Sequence, residues 1–341
     1  MSAQQSRARV LVISLGGTIA STATPSHGGV VPQLTAADLV AAVPSLDDVA
    51  RVDAQSFRQV PSGDLVLADL CALARFIAAR VVDGVDGVDG VVITQGTDTI
   101  EETAFALDVL LDLDVPVVVT GAMRNPTLAS PDGPGNVLAA VRVAASPAAR
   151  ALGCLVVMND EIHAARFVRK THSSSLATFQ SPSAGPLGWV SEDRVRIALR
   201  CSTMRHVAVD VEGEVPAVAL ISCALGDDGR LLGALPTLGY RGAVIDAFGG
   251  GHVPSTMVEG IETLAWAMPV VLCSRAGSGE VLEHTYGFPG SESDLLSRGV
   301  ISGGILDARK ARVVLTLALA ASTHARDAVE LFIEVRDSLL G

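Results

Sequence analysis

Residues 91–103 read VVITQGTDTIEET, an apolar run that gives way to an acidic segment through a cluster of small polar residues. The run VVIT is typical of a buried parallel strand, and the two glutamates are typical of the first turn of a helix. The joint, Gly96 to Thr99, supplies a flexible backbone, two hydroxyls and a carboxylate, whereas helix capping needs only one such residue. Ligands of open α/β sheets bind at the carboxyl ends of the strands, so the stretch predicts both an α/β fold and a binding site.

The same strand-then-helix alternation continues on both sides of this stretch. Strand-like apolar runs cover residues 9–14, 115–120, 153–159, 217–222, 242–248 and 269–274. The alternation ends with helix-like segments at 307–321 and 325–339. We therefore predict a larger N-terminal α/β domain with a largely parallel sheet over residues 1–190, a linker over 191–216, and a smaller C-terminal α/β domain with a parallel sheet over 217–341.

Composition argues against several kinds of partner. The formal charge of −12 and the lack of a basic stripe argue against nucleic acid. Every apolar run is shorter than the roughly 20 residues that span a membrane, and no secretory signal is recognisable, so we expect a cytoplasmic protein without a membrane partner. Five scattered cysteines in apolar surroundings predict reduced, buried thiols, and no Cys or His motif predicts a metal or another cofactor.

A second hydroxyl follows the first predicted strand. In SLGGTIAST, residues 14–22, two glycines allow a sharp turn that leaves Thr18 at the rim of the sheet. Such a turn could also cradle a phosphate, but the chain contains neither GxxxxGK[ST] nor GxGxxG. Taken alone, Thr18 is an ordinary turn hydroxyl. Parallel winding can place it beside Thr97, and a threonine becomes a nucleophile when a base or a cation activates it.

Lysine is rare in this chain and therefore informative. Of 25 basic residues only Lys170 and Lys310 are lysines. An ammonium can release its proton at accessible pH, whereas a guanidinium stays charged. Lys170 lies in the polar stretch that follows the strand at 153–159, and Lys310 lies in a helical segment where we expect it to be solvated. Lys170 is thus the candidate activator.

Several segments together give the chain a resemblance to the bacterial-type L-asparaginase family. They are SLGGTIAS (14–21), VVITQGTDTIEETA (91–104), VVVTGAMRNPTLASPDGPGN (117–136), VVMNDEIHAARFVRKTHSSSLATF (156–179), GPLGWV (185–190), YGF (286–288) and ARKARVVLTLAL (308–319). The resemblance covers nearly the whole chain, and the two threonine motifs in this order are highly specific.

The resemblance implies a homotetramer or homodimer that hydrolyses the side-chain amide of L-asparagine, with L-glutamine as the second candidate. Thr18 would be the nucleophile, and Thr97, Asp98 and Lys170 would form a second catalytic group. Ser62 would hold the substrate α-carboxylate and Asp98 the α-ammonium. The substrate-binding residues implied in this way are Gly17, Ser62, Gly63, Gly96, Thr97, Asp98, Ala122, Met123, His252 and Glu280.

The chain departs from the family pattern on the segment after Thr18. The family usually has a tyrosine there, and residues 19–34 contain none. Either Lys170 and Thr97 activate the nucleophile alone, or Ser21, Ser26 or His27 replaces the tyrosine.

Further departures affect substrate binding. Gly63 stands where the family often has a glutamine, so one polar contact to the substrate is absent. Gly250 and His252 stand where asparagines are common, and His252 could instead be a helix-entry residue before Pro254. Glu280 resembles the glutamate that crosses the dimer interface, and Glu283 is its rival.

Two alternative functions remain open from the sequence. The first is a catalytically impaired amino-acid-binding or sensing protein of the same fold. The second is a glutaminase or amidotransferase relative, such as the subunit that supplies ammonia for glutaminyl-tRNA. Retention of Lys170 favours catalysis over binding, because binding alone has no evident use for this amine.

Overall fold

The structure is a computed structural model that describes residues 7–17, 19, 21–23, 30–32, 35–82, 87–209 and 215–340. Backbone packing divides the chain into two compact units, and the division falls between Thr203 and Met204. Each unit has its own sheet.

The first unit contains strands β1 (Arg9–Ser14), β2 (Ser21–Ala23), β3 (Val30–Pro32), β4 (Arg51–Ser56), β5 (Gly90–Thr94), β6 (Val117–Thr120), β7 (Cys154–Met158), β8 (Glu161–Ala164), β9 (Arg169–Lys170), β10 (Phe179–Gln180), β11 (Gly188–Ser191) and β12 (Arg194–Ile197). Its helices are α1 (Ala36–Ala41), α2 (Leu46–Val49), α3 (Leu67–Val82), α4 (Ile100–Leu110) and α5 (Gly133–Ala144). The main sheet has eight strands in the order β12-β11-β8-β7-β6-β5-β1-β4.

The main sheet is largely parallel, as predicted. Its central strands are buried on both faces, as is typical of parallel sheets. Strands β7, β6, β5, β1 and β4 are parallel, and β8, β11 and β12 continue the sheet in antiparallel fashion. Alternate residues of β1 enter opposite apolar clusters: Val10 and Val12 pack on the side of α5, and Leu11 and Ile13 on the side of α3 and α4. This explains the continuous apolar runs that identified these strands.

Short strands occupy two regions in which the sequence predicted none. The polar stretch after β7 contains β8, β9 and β10, and β9 pairs with β10 in a separate two-stranded sheet. Residues 194–197, inside the predicted linker, form β12 at the edge of the main sheet. Two- to four-residue strands carry too little sequence periodicity to be recognised without their partners.

The second unit contains β13 (Val218–Ser222), β14 (Gly242–Ala247), β15 (Val270–Ser274) and β16 (Ile301–Ser302), which form an all-parallel sheet in that order. Its helices are α6 (Val258–Ala267), α7 (Glu292–Ser297), α8 (Ala308–Ala321) and α9 (Ala325–Asp337). The prediction of a smaller C-terminal α/β domain with a parallel sheet is confirmed.

The prediction of a solvated Lys310 is wrong. Its side chain is buried, with 1% of the residue exposed, and its Nζ lies 3.0 Å from Asp307 Oδ2. Asp307 is the N-cap of α8 and also accepts hydrogen bonds from the backbone N–H groups of Arg309 and Lys310. Because α8 packs against the sheet, the lysine in its first turn folds back onto the capping carboxylate.

The cysteines are free thiols. Cys201 is half-buried, and the other four are buried. Burial raises the pKa of the Cys154 and Cys273 thiols well above its ordinary value, which makes these thiols unreactive. Among the helices that the structure describes, none is long and apolar enough to cross a membrane.

Candidate active site

Three neighbouring parallel strands end together at the carboxyl edge of the main sheet. Ser14 of β1, Thr94 of β5 and Thr120 of β6 occupy the same register position. The loops that follow them contain the glycines and threonines of the sequence motifs. The topology therefore gathers these motifs at one edge, as the position of ligands in open α/β sheets leads one to expect.

The backbones of the first two loops approach closely at glycines. Gly17 has a φ of +85°, and a Cβ atom added to it would lie 1.9 Å from the backbone nitrogen of Gly96. A Cβ atom added to Gly96 would in turn lie 2.8 Å from Ser62 Oγ. The structure thus brings Gly17, Gly96 and Ser62 together, and the positive φ and the close backbone require glycine at position 17.

The proposed nucleophile, Thr18, lies outside the described residues. The same holds for Ser26, His27 and the side chain of Ser21, the candidates for the role of the missing tyrosine. Gly17, the described residue before Thr18, lies against the loop that carries Thr97.

The ammonium of Lys170 bridges the second threonine motif. Thr97 is buried in a short 3-10 turn, Thr97–Thr99, that leads into α4. Lys170 Nζ donates to Thr97 Oγ1 at 2.9 Å and to Asp98 Oδ1 at 2.7 Å. The lysine side chain is 14% exposed, whereas that of Asp98 is 82% exposed. A cation that donates to a hydroxyl oxygen lowers the cost of removing the proton from that hydroxyl.

A buried carboxylate that sequence reasoning did not single out holds the backbone of Lys170. Glu101 in the first turn of α4 is 4% exposed, and its Oε2 accepts the backbone N–H of Lys170 at 2.6 Å. Glu101 follows Thr97 by four residues and so lies on the same side of the turn, which is the signal that could have identified it.

The segment around Ser62 is fastened to the same turn. Thr99 Oγ1 donates to the backbone carbonyl of Ser62 at 3.0 Å, and Gln95 Nε2 donates to Thr99 Oγ1 at 3.3 Å. Ser62 is buried, and Gly63 beside it is exposed. A Cβ atom added to Gly63 would meet no described atom within 4 Å.

The third loop, after β6, is held by the start of α5. Ala122 is buried, and the backbone N–H of Met123 donates to Asp132 Oδ2 at 3.0 Å. Asn136 Nδ2 donates to the carbonyl of Gly121 at 3.0 Å and to Asp132 Oδ2 at 3.0 Å. The amide of Met123 is thus engaged by a carboxylate, and the loop that carries Ala122 and Met123 is fixed relative to α5.

His252 and Glu280 belong to the second unit, and their roles stay predictions. His252 Nε2 lies 3.1 Å from Oε2 of Glu292, a buried residue, and its ring makes edge contacts with Tyr286 and Phe288. Glu280 is exposed, as is its rival Glu283.

Glu292, which the sequence did not indicate, organises the loop before it. It accepts the backbone N–H groups of Thr285 and Tyr286 at 2.9 and 2.7 Å. Burial raises the pKa of this carboxyl, but these hydrogen bonds and the nearby His252 outweigh burial, so the pKa is lowered overall.

A buried histidine predicts a pH-dependent stability for the first unit. His163 on β8 is fully buried, with Nδ1 3.0 Å from Ser181 Oγ and Nε2 3.4 Å from Glu161 Oε2. Burial lowers the pKa of His163, and Glu161 opposes this only in part. Below the unfolded-state pKa of about 6.5 the unfolded chain binds a proton that the folded chain does not.

We therefore expect stability to fall as pH decreases from about 6.5 toward the folded pKa of His163. Urea unfolding at pH 7.5 and pH 5.5 measures this loss. The variant His163→Gln should lose less stability between these two pH values than the wild type, whereas His324→Gln, on an exposed histidine, should behave as the wild type. An equal loss in His163→Gln and wild type would show that another group titrates.

Among the described residues, no group of three or more His, Cys, Asp or Glu side chains could hold a metal ion. The groups gathered at the sheet edge are instead a hydroxyl, an ammonium and carboxylates. This set can move a proton and stabilise an alkoxide, which is the chemistry of nucleophilic attack on a carbonyl carbon.

Comparison with known proteins gives matches over both units. A family model described as "Asparaginase, N-terminal" matches residues 9–202, and one described as "Glutaminase/Asparaginase C-terminal domain" matches residues 217–332. An L-asparaginase of Bacillus licheniformis is 36% identical over 313 residues, which are 92% of this chain and 95% of that protein.

Two further similar proteins extend these matches. A glutamyl-tRNA(Gln) amidotransferase component of Methanosarcina barkeri is 31% identical over 86% of this chain and 70% of its own length. The crystal structure of a probable cytoplasmic L-asparaginase from Campylobacter jejuni matches with a TM-score of 0.86 at 32% identity, over 96% of this chain and all of that one.

Proposed function

Since the chain belongs to the bacterial-type L-asparaginase family, we propose that it hydrolyses L-asparagine to L-aspartate and ammonia through an ester formed on Thr18. L-Glutamine is the second candidate substrate, because one methylene in a pocket changes discrimination by only about 1–3 kcal/mol. The observation that carries this proposal is the contact of the Lys170 ammonium with both Thr97 and Asp98.

The first half-reaction forms the ester. The hydroxyl oxygen of Thr18 attacks the carboxamide carbon of the substrate, the hydroxyl proton is passed to the amide nitrogen, and ammonia leaves. Backbone N–H groups near Gly17 and Thr97 stabilise the oxyanion of the tetrahedral intermediate, an effect of about 3–4 kcal/mol per donor in other enzymes.

The second half-reaction consumes one water molecule. Thr97, whose hydroxyl oxygen accepts from Lys170, takes a proton from the water that attacks the ester carbonyl and passes its own hydroxyl proton to the departing oxygen of Thr18. The ester bond breaks, Thr18 regains its proton, and L-aspartate leaves. Asp98 balances the charge of Lys170 and presents its exposed carboxylate to the α-ammonium of the substrate.

The proposal also assigns residues to substrate binding and to the interface between subunits. Ser62, buried beside Gly96, holds the α-carboxylate, and Gly63 contributes no side chain to the substrate. His252 and Glu280, or Glu283 in place of Glu280, complete a site across the interface of a homodimer or homotetramer. We also propose that the protein is located in the cytoplasm.

The test is whether the purified protein releases ammonia from L-asparagine. We expect equal amounts of ammonia and L-aspartate, and rapid acid quenching during turnover should leave an aspartyl mass on the peptide that contains Thr18. The variant Thr18→Ala should carry no such mass. A wild-type protein that binds L-aspartate but releases no ammonia from L-asparagine or L-glutamine would instead be an amino-acid-binding protein.

A further inference from the structure

We infer that Glu101 is a positioning residue that fixes Lys170 at the distance from which its ammonium reaches Thr97. The inference deepens the proposed hydrolysis and rests on it wherever activity is measured. It starts from a buried carboxylate for which the reaction itself has no use. Carboxylates are rarely buried unless they are paired, so the partner of Glu101 is informative.

The Glu101 carboxylate accepts a hydrogen bond from the backbone of Lys170. The hydrogen bond of 2.6 Å from the Lys170 N–H to Glu101 Oε2 joins residues 69 positions apart in the sequence. A hydrogen bond to an ionised acceptor is shorter and about twice as strong as one between neutral groups. It therefore connects the strand that carries the lysine to the helix that follows Thr97.

Strand β9 depends on such links because it lies outside the main sheet. Its two residues pair with β10, through Lys170 and Phe179, in a sheet of two strands. Phe179 packs in the same apolar cluster as Ile100, which holds β9 and β10 against α4. Apolar packing is non-directional, whereas the hydrogen bond from Glu101 sets the position of the Lys170 backbone along the helix.

Both ends of the Lys170 side chain are consequently fixed to one structural element. Glu101 holds its backbone at the start of α4, and Thr97 and Asp98 hold its ammonium one turn earlier. A free lysine samples many rotamers, and restricting it in advance lowers the cost of reaching the reactive geometry. Glu101 thus acts on the reaction through Lys170.

The competing explanation is that Glu101 only stabilises the amino end of α4 by its charge. Two substitutions separate these roles. Glu101→Gln removes the charge but keeps an oxygen that can accept the Lys170 N–H, and Glu101→Ala removes both. Glu102→Gln is the matched control, because it removes the same charge from the same helical turn.

Steady-state kinetics with L-asparagine should show the difference. Glu101→Ala should lower kcat about 100-fold with little change in KM, since a displacement of about 1 Å can have this effect. Glu101→Gln should stay within about tenfold of the wild type, and Glu102→Gln should equal it. In a Lys170→Met background, Glu101→Ala should cause no further loss. Equal losses in Glu101→Gln and Glu101→Ala, or additive losses with Lys170→Met, would overturn the inference.

Crystal structures of the two Glu101 variants test the inference without activity. The distance from Lys170 Nζ to Thr97 Oγ1 should stay near 2.9 Å in Glu101→Gln and lengthen in Glu101→Ala. An unchanged distance in Glu101→Ala refutes the positioning role even if the kinetics agree. If the wild type hydrolyses no amide, the proposed function fails, and the two distances still decide the role of Glu101.

Discussion

Replacing Lys170 with methionine is expected to lower kcat for L-asparagine by about 10²- to 10⁴-fold, the range typical of removing a group that assists proton transfer. Methionine has a similar length and fills the same largely buried space, so the fold should be retained. Thr97 Oγ1 and Asp98 Oδ1 would lose the donor that lies 2.9 and 2.7 Å from them. The hydroxyl of Thr97 would then lose the cation that favours its alkoxide.

The matched variant is Lys170→Arg, which keeps the charge but replaces the compact ammonium, which donates to both Thr97 and Asp98, with a larger planar guanidinium. We expect it to be nearly as inactive as Lys170→Met. Urea unfolding of all three proteins controls for folding. Full activity in Lys170→Arg would show that the site needs a positive charge but not the geometry of an ammonium, and full activity in Lys170→Met would refute the role of the lysine altogether.

The second large effect is on stability and concerns a buried ion pair of the first unit. Arg166 Nε lies 3.6 Å from Asp108 Oδ2, and both side chains are almost completely buried. Asp108 Oδ1 also accepts the backbone N–H of Cys154 at 2.7 Å, and Arg166 Nη1 donates to the carbonyl of Ser202 at 3.0 Å. Arg166 thereby joins α4, the turn before β9 and the end of the unit.

Arg166→Met should reduce the free energy of unfolding by about 3–5 kcal/mol, because it leaves the carboxylate of Asp108 buried without this partner. The double variant Arg166→Met/Asp108→Asn should recover part of the loss, since it removes the remaining charge but keeps an oxygen that can accept the N–H of Cys154. Arg326→Met, at an exposed ion pair, should leave the unfolding midpoint nearly unchanged. A loss from Arg166→Met no larger than that from Arg326→Met would show that the pair contributes little.

The sequence predicted those strands whose burial produces a continuous run of apolar residues. Strands β1, β5, β6 and β7 are covered on both faces, so their apolar runs identified them directly. Strand β4 was not predicted, because its residues are mostly exposed and its pairing with β1 is set by tertiary structure. Strands β9 and β10 were not predicted either. Each has only two residues, and they are recognisable as strands only through their pairing with each other.

Site residues divide in a similar way. Lys170 could be predicted because lysine is rare in this chain and its chemistry is specific, and the structure places it against Thr97 and Asp98. Glu101 could be identified only through its spacing from Thr97. Glu292 could not be predicted, because its partners are backbone N–H groups, which no side-chain motif records. Lys310 was wrongly predicted to be solvated. The sequence of a helical segment does not show that a lysine in its first turn pairs with the N-cap carboxylate, as Lys310 does with Asp307.

The contact between Gly17 and Gly96 has a practical consequence for directed evolution. Substitution at position 17 is expected to be the more disruptive, because a side chain there would collide with the backbone at Gly96, whereas one at position 96 would press against the side chain of Ser62. Gly63 offers the opposite situation, since a new side chain there would meet no described atom within 4 Å. A library that seeks altered substrate selectivity should therefore hold positions 17 and 96 constant and diversify position 63.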